Sequence, residues 1–354
     1  MIRAAVSAAS QRVAIVGVGG IGGSLAGRLI EASPPALESL VAVSHNAAVR
    51  EAIARSGYRL RGEGGERSVP GTVLAALPDE AFDWILLCTR PPQATEAALA
   101  ALPHLAPGGA LVVCPNGLCE DRVAAVAGAA RTVGAIVAFG ASAPEPGVFE
   151  QTSAGGLTLG EHGDGGPDRL QGLAAVLNSA LPASITPNLA GARWSKLAIN
   201  CAISALGTIG GDRLGPLMTH RFVRRLALEI MTEVVAVARA EGVALEPVSG
   251  TLDLDWLALT ADERSGGPAL VLKHSMLLAV GMRYRKLRSS MLRAIEGGRD
   301  PGVQFLNGEI VQRGAAHGIA TPFNAEAARL VEAIAAGAEA PSVDQVRRFW
   351  TDSP

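Results

Sequence analysis

Lys196, Asn200 and Ser204 fall at i, i+4 and i+8 of the segment 193–209, whose other residues are mainly apolar. On an α-helix each four-residue step drifts by about 40°, so the three polar groups share one narrow face. A helix apolar almost all round is a buried helix, and an ammonium, an amide and a hydroxyl inside it need partners or a ligand. A solvated polar face is the simpler account. It fits less well, because the stripe is narrow and carries one charge. Carbonyl reduction suits these groups. Hydride arriving at a ketone carbon generates an alkoxide, and a lysine ammonium at that oxygen stabilises the charge and donates the proton. Asn200 is of the right type to orient the carbonyl or a neighbouring hydroxyl.

A hydride needs a donor, and VAIVGVGGIGGSLAGRL at residues 13–29 offers a place for one. Four apolar residues run into Gly17-Val18-Gly19-Gly20-Ile21-Gly22, and a helix-like run, 23–30, follows. This is the strand, glycine turn and helix of a dinucleotide-binding βαβ unit. Gly17 allows the tight turn, Gly19 lets the backbone approach a pyrophosphate, and Gly22 lets helix and strand pack closely. The N–H groups at the helix start then hold phosphate oxygens.

The end of the second strand of such a unit selects the cofactor. Here it reads Ser44-His45-Asn46, with Arg50 one turn into the next helix and no acidic residue at the strand end. That favours NADPH over NADH. Asn116, in Cys114-Pro115-Asn116-Gly117, sits just past a later strand and is open to two readings: a contact to nicotinamide ribose or substrate, or an ordinary turn asparagine. Thr89-Arg90 at another strand end invites the same comparison, a cation for a phosphate or for solvent.

The elements that must position these groups divide the chain in two. Strands are expected at 13–16, 40–43, 84–88, 110–114 and 133–139, with helices at 47–56 and 94–102. Strands apolar on both faces and separated by helices imply a parallel sheet covered on both sides. Beyond about residue 181 the pattern is helical, with runs at 193–209, 221–241, 286–296, 305–316 and 324–336. The fold class is therefore α/β: an N-terminal Rossmann domain with a doubly wound parallel sheet (1–186), then an all-helical domain for substrate and dimerisation (187–354). The site is expected between them.

Composition narrows the function classes. The chain has 354 residues, 49% hydrophobic and 18% charged, enough for a substantial core. A net charge of -2 lacks the electrostatic footprint of a nucleic-acid binder. The four cysteines, Cys88, Cys114, Cys119 and Cys201, have no CxxC spacing, and the six histidines are scattered, so no metal site is expected. The leader, 1–11, is too short and weakly apolar for a signal peptide, and no run reaches transmembrane length. The expectation is a soluble cytoplasmic protein that engages neither membrane nor nucleic acid.

Taken together, these residues resemble the ketopantoate reductase (2-dehydropantoate 2-reductase) family. The resemblance covers nearly the whole chain. It runs through the glycine turn 17–22, the PNG turn 115–117, Gly140-Ala141 with Pro146-Gly147, and ARWSKLAINCAISALG at 192–207. It continues through SSMLRAI at 289–295, FLNGEIVQRG at 305–314 and HGIATPFN at 317–324. The resemblance implies an NADPH-dependent oxidoreductase acting on a 2-keto acid, with a role in pantothenate biosynthesis. It implies Lys196 as general acid, Asn200 and Ser204 on the substrate, Asn116 near both cofactor and substrate, and Ser290 on the substrate carboxylate. Arg90 and Ala141 would lie on the cofactor side with Ser44, His45 and Asn46.

The chain departs from the family pattern at three places. Ser204 stands where the family has a second asparagine. Gly302 stands where its GRxTEID segment has a glutamate, with Glu309 and Glu296 as the nearby acids. The stretch 247–288 is longer than its family counterpart and includes the mostly apolar 270–280, suited to an extra helix beside the site or to an oligomer surface such as a homodimer's. These departures keep the reaction class and leave the substrate open. A dehydrogenase for another keto or imino acid, and a non-catalytic nucleotide-binding regulator, are the alternatives.

Overall fold

The computed structural model describes residues 10–62, 64–248 and 252–353. Most of the short leader, residues 1–9, and residues 249–251 of the long stretch lie outside the described residues. The chain divides into two compact units. One runs to Pro115 and resumes at Cys119–Leu189; the other comprises Asn116–Leu118 and Ala190–Pro354.

The first unit begins with the expected βαβ: β1 (Gln11–Val16), α1 (Gly20–Ala32) and β2 (Leu37–Val43). It continues through α2 (Ala47–Ser56), β3 (Tyr58–Gly62), β4 (Gly65–Val69), β5 (Phe82–Leu87) and α3 (Ala94–Ala101). Then come β6 (Leu105–Val113), α4 (Cys119–Ala127), β7 (Thr132–Val137), β8 (Gly140–Glu145) and β9 (Val148–Ser153). β10 (Leu157–Glu161), α5 (Gln171–Asn178) and β11 (Ala183–Ile185) complete it.

Seven strands form the main sheet in the order β11-β10-β7-β6-β5-β1-β2. Val13, Ile15, Ile85, Leu86, Leu87, Leu111 and Val112 are wholly buried, as strands covered on both faces require. The sheet is parallel except where β10 runs antiparallel to β7. A second sheet, β4-β3-β9-β8, was not expected from the sequence. Its apolar residues, Tyr58, Leu60 and Phe149, join the core of the main sheet, and the Phe149 ring lies against α1 at Gly23.

The second unit is helical: α6 (Leu189–Gly210), α7 (Leu214–Thr219), α8 (Arg221–Ala240), α9 (Leu254–Leu257) and α10 (Ala261–Ser265). α11 (Pro268–Arg283), α12 (Ser290–Glu296), α13 (Asn307–Ala316), α14 (Pro322–Ala335) and α15 (Val343–Asp352) follow. One core binds them, with Leu197, Cys201 and Ala205 of α6 packed among Ile230 and Val234 of α8, Ile310 of α13 and Val331 of α14. Its polar centre is a buried chain. Asn307 donates to the Cys201 carbonyl at 3.1 Å and to the Asn324 side-chain carbonyl at 2.9 Å. Asn324 in turn donates to Glu233 at 2.7 Å, and Glu233 also accepts the Phe323 and Asn324 backbone N–H groups. Burial raises the Glu233 carboxyl above its ordinary range, and the three donors oppose that shift. Four helices are thus tied together through groups that would be costly to leave unpaired. Among the described residues no helix is long and apolar enough to cross a membrane.

Candidate functional site

In the first unit the glycine turn closes β1 onto α1. Gly17 has φ +101°, and a side chain there would meet the Cys88 carbonyl carbon at 2.8 Å. At Gly22 a Cβ would lie 2.0 Å from the Gly17 carbonyl oxygen, so helix and turn approach as only glycine permits. α1 begins at Gly20, inside the motif and three residues earlier than the sequence suggested, with Gly19 as its N-cap and no side chain capping it. The first N–H groups of a helix lack internal partners, so this end is built to receive an anion. Around a Cβ position at Gly19 there is nothing within 4 Å.

The other cofactor-side residues gather at the ends of neighbouring strands. The Ala141 carbonyl is 2.8 Å from a Cβ position at Gly20, which brings β8 against the turn. Ser44 is buried; its hydroxyl accepts the Asn46 N–H at 3.3 Å, and Asn46 caps α2 through the Ala48 N–H at 3.0 Å. His45 stays exposed. The Arg50 guanidinium donates to the Ser44 carbonyl at 2.7 Å, so a cation is fixed at the end of β2. Arg90, just past β5, is exposed. Beside it the Thr89 hydroxyl is buried with no hydrogen-bond partner among the described residues, a donor left over at the edge of the turn. These features fit a dinucleotide: a cradle without side chains, a helix start, a fixed cation and an unused hydroxyl.

In the second unit, α6 is buried along most of its surface and opens on one side. Lys196, Ile199, Asn200, Ile203 and Ser204 are half-buried, while Leu197, Ala198, Cys201, Ala202, Ala205 and Leu206 are buried. The polar stripe is therefore less buried than expected. It lies on the open face of the helix and shares that face with two isoleucines.

α12 is attached to the same helix. The Ser289 hydroxyl donates to the Ser204 carbonyl at 2.9 Å, and the Thr208 hydroxyl lies 2.8 Å from both that carbonyl and Ser289 Oγ. Ser289 also caps α12, accepting the Leu292 N–H at 3.4 Å. Ser290, the first residue of α12, is exposed next to this knot. Among the described residues the hydrogen bonds of this corner run through Ser289, Thr208 and the Ser204 carbonyl, not through the side chains of Asn200, Ser204 or Ser290. Asn116 groups with this unit as well: Leu118 packs in the helical core with Trp194 and Leu197, and Gly117 abuts the Phe305 carbonyl. Lys196, Asn200, Ser204, Ser290 and Asn116 all belong to the helical unit.

The sequence reading missed Ser289, Thr208 and the Asn307–Asn324–Glu233 chain; it named Thr89 with Arg90 but gave the hydroxyl no role. A serine pair ahead of an apolar helical run was the available signal for an N-cap at Ser289. The two acids near Gly302 are committed elsewhere. Glu309 pairs with Arg313 at 2.9 Å and Glu296 with Arg288 at 2.9 Å. Gly302 itself adopts φ +72° and takes its place in a turn in which its N–H donates to Asp300 at 2.6 Å. A glutamate would be strained at that backbone.

Two models of one family match the chain in tandem. "Ketopantoate reductase PanE/ApbA" matches residues 13–164, and "Ketopantoate reductase PanE/ApbA C terminal" matches residues 188–335. A 2-dehydropantoate 2-reductase of Pyrococcus abyssi is 25% identical over 315 residues, covering 88% of this chain and 94% of that protein. One from Caulobacter vibrioides is 27% identical over 333 residues, covering 91% and 99%. Among solved structures, a PanE/ApbA family ketopantoate reductase from Ralstonia eutropha JMP134 superposes with a TM-score of 0.73 at 27% identity, covering 92% of this chain and 99% of that one. A D-mandelate dehydrogenase solved with NADH and anilino(oxo)acetate shares the fold at a TM-score of 0.78 and 20% identity, with the same coverage.

Proposed function

This chain belongs to the ketopantoate reductase family, and we propose that it reduces the ketone of a 2-keto acid such as 2-dehydropantoate to the 2-hydroxy acid with NADPH. It is an NAD(P)-dependent oxidoreductase acting on the CH–OH/C=O couple. The observation that carries the reading is the open face of α6, where Lys196, Asn200 and Ser204 are held half-exposed on an otherwise buried helix.

When bound, a reduced nicotinamide supplies the hydride. The rest falls to the chain. The glycine turn (Gly17, Val18, Gly19, Gly20, Ile21, Gly22) and the start of α1 hold the pyrophosphate, with Ala141 and Arg90 beside them. The loop Ser44-His45-Asn46, with Arg50, receives the 2′-phosphate. Lys196 places its ammonium at the ketone oxygen, stabilises the charge that develops there and gives up the proton. Asn200 orients the carbonyl. Ser290, set by the Ser289 knot, grips the carboxylate with Ser204 nearby, and Asn116 contacts the substrate and the ribose. In this reading residues 1–186 serve the dinucleotide and 187–354 the keto acid, and the enzyme works in the cytoplasm.

Ile199 and Ile203 favour a second substrate reading. They give the polar face an apolar wall, and Ser204 and Gly302 shorten two side chains that the family uses. A 2-keto acid with a larger apolar substituent suits such a face. Anilino(oxo)acetate in the mandelate dehydrogenase is a ligand of that kind. The test is a panel of 2-keto and imino acids, branched, aryl and hydroxylated, with NADPH and NADH, followed by loss of reduced nicotinamide. Turnover of 2-dehydropantoate supports the first reading, and turnover of apolar acids alone supports the second. Cofactor binding without turnover of any acid leaves a regulatory nucleotide-binding protein.

A further inference from the structure

Arg293 follows Ser290 by almost one turn of α12. Three residues turn a helix by about 300°, so the two side chains leave it about 60° apart, on one side. α12 buries Met291 and Leu292 and rests Ile295 on the helical core, which puts Ser290 and Arg293 on its outer side. Ser290 is exposed and Arg293 half-buried. The Arg293 guanidinium is a fork of N–H donors. Among the described residues its side chain donates to the Arg288 carbonyl at 3.2 Å and to nothing else, and its Nε is buried without a partner. No carboxylate among the described residues pairs with it: Glu296, the acid of α12, gives both its oxygens to Arg288.

We propose that Arg293 is the cation that binds the substrate carboxylate and makes the site select acids over their neutral counterparts. The inference rests on the proposed reduction of a 2-keto acid and names the group that recognises the acid. In that reading the Lys196 ammonium is taken up by the ketone oxygen, and Asn116, Asn200, Ser204 and Ser290 are neutral. A carboxylate drawn out of water against neutral donors alone loses more solvation than it recovers, so the site needs an opposite charge. A planar guanidinium meets a carboxylate through two parallel hydrogen bonds, which a lysine ammonium does not. The bond that sets Ser290 also sets Arg293: the Ser289 hydroxyl on the Ser204 carbonyl ties the start of α12 to α6. A bracing role, confined to the turn before α12, accounts for the bond to the Arg288 carbonyl and leaves the charge and the rest of the fork unused.

Steady-state kinetics with two substrates test it: the keto acid of the panel that the wild-type chain turns over best, and the carboxamide of that same acid. Calorimetric binding of the acid to the chain loaded with NADP+ adds a readout that needs no turnover. Arg293→Met keeps the length of the side chain and removes the charge. It should raise both KM and the dissociation constant of the acid about tenfold to a hundredfold, the worth of a charge-assisted pair, with kcat and NADPH affinity little changed. KM for the carboxamide should be the same in the variant and the wild type, so the preference for acid over amide collapses. Arg293→Lys keeps the charge without the fork, guards against misfolding of the first variant, and should fall between the two. Equal losses for acid and amide would make Arg293 a brace for α12, and an unchanged KM for the acid would leave the carboxylate to other groups; either result overturns the proposal. A wild-type chain that binds NADPH and turns over no keto acid overturns the proposed function itself, and this inference with it.

Discussion

The Ser289 hydroxyl and the Ser204 carbonyl, 85 residues apart in sequence, meet at 2.9 Å. One bond thus fixes the start of α12, and with it Ser290, to the helix that carries Lys196 and Asn200. Lys196 and Ser204 are eight residues apart, about 12 Å along the axis at the helical rise. The lysine side chain reaches along part of that span, and Asn200 stands midway. Ser289→Ala removes an N-cap as well as the tether, and caps alone are worth about 1 kcal/mol. The expected result is a loss of about 1–2 kcal/mol in urea unfolding and a several-fold rise in KM for the keto acid with kcat little changed. An unchanged KM would separate Ser289 from substrate binding.

Asn324 joins Asn307 to Glu233 in the helical core. Asn324→Ala would take the side-chain donor from the buried Glu233 carboxyl and the acceptor from one Asn307 N–H, leaving Glu233 its two backbone donors and Asn307 the Cys201 carbonyl, at a cost of about 1–3 kcal/mol for the orphaned donor. The urea midpoint should fall more for this variant than for Ser289→Ala. A smaller loss would mean that other groups take over the bonds.

How much of this was legible in the sequence depends on where each residue's partners lie. The glycine turn and the Lys196 stripe are local patterns with a period of their own, and both read correctly as strand–turn–helix and as one helical face. The second sheet did not read. β3 and β4 (YRLRG and GERSV) are polar along their exposed side, and their arginines pair with Glu66 and Glu31 rather than interrupting the strands. Asn307 and Asn324 looked like ordinary motif positions. Their role depends on partners on α6 and α8, which no local pattern shows. The stripe was read as buried because its neighbours are apolar; Ile199 and Ile203 are in fact on the open side with it.

Cofactor choice follows from the end of β2. Arg50 is held at the Ser44 carbonyl and no acid stands at the strand end, so NADPH should bind more tightly than NADH in a fluorescence titration. Arg50→Ala should weaken NADPH by about tenfold to a hundredfold, the worth of one charge-assisted hydrogen bond at about 1.5–3 kcal/mol, and leave NADH nearly unchanged. Tighter binding of NADH by the wild-type chain would contradict the assignment.

His274 makes stability depend on pH. Burial, then the nearby Arg224, Arg221 and Arg225, lower its pKa from 6.5 to about 4. The folded chain therefore holds it neutral where the unfolded chain protonates it. The stability this confers is fully present above pH 6.5 and is lost as pH falls from 6.5 toward about 4. Glu263, lowered chiefly by its hydrogen bond from Lys273, and Glu31, lowered chiefly by Arg67, act only below their ordinary value of 4.5. Thermal midpoints should decline already between pH 6.5 and 5, and His274→Leu should flatten that part of the curve. A parallel decline in the variant would assign the effect to other groups.

The central claim is that Lys196 is the proton donor at the ketone oxygen. Steady-state kinetics of Lys196→Ala, on the keto acid that the panel identifies, tests it most directly when paired with an NADPH titration. General acid catalysis is worth roughly 10²–10⁴-fold. The account predicts a fall in kcat of about that size with NADPH affinity within about twofold of wild type, since the glycine turn is untouched. Near-normal turnover by Lys196→Ala would contradict it and make the lysine a structural residue.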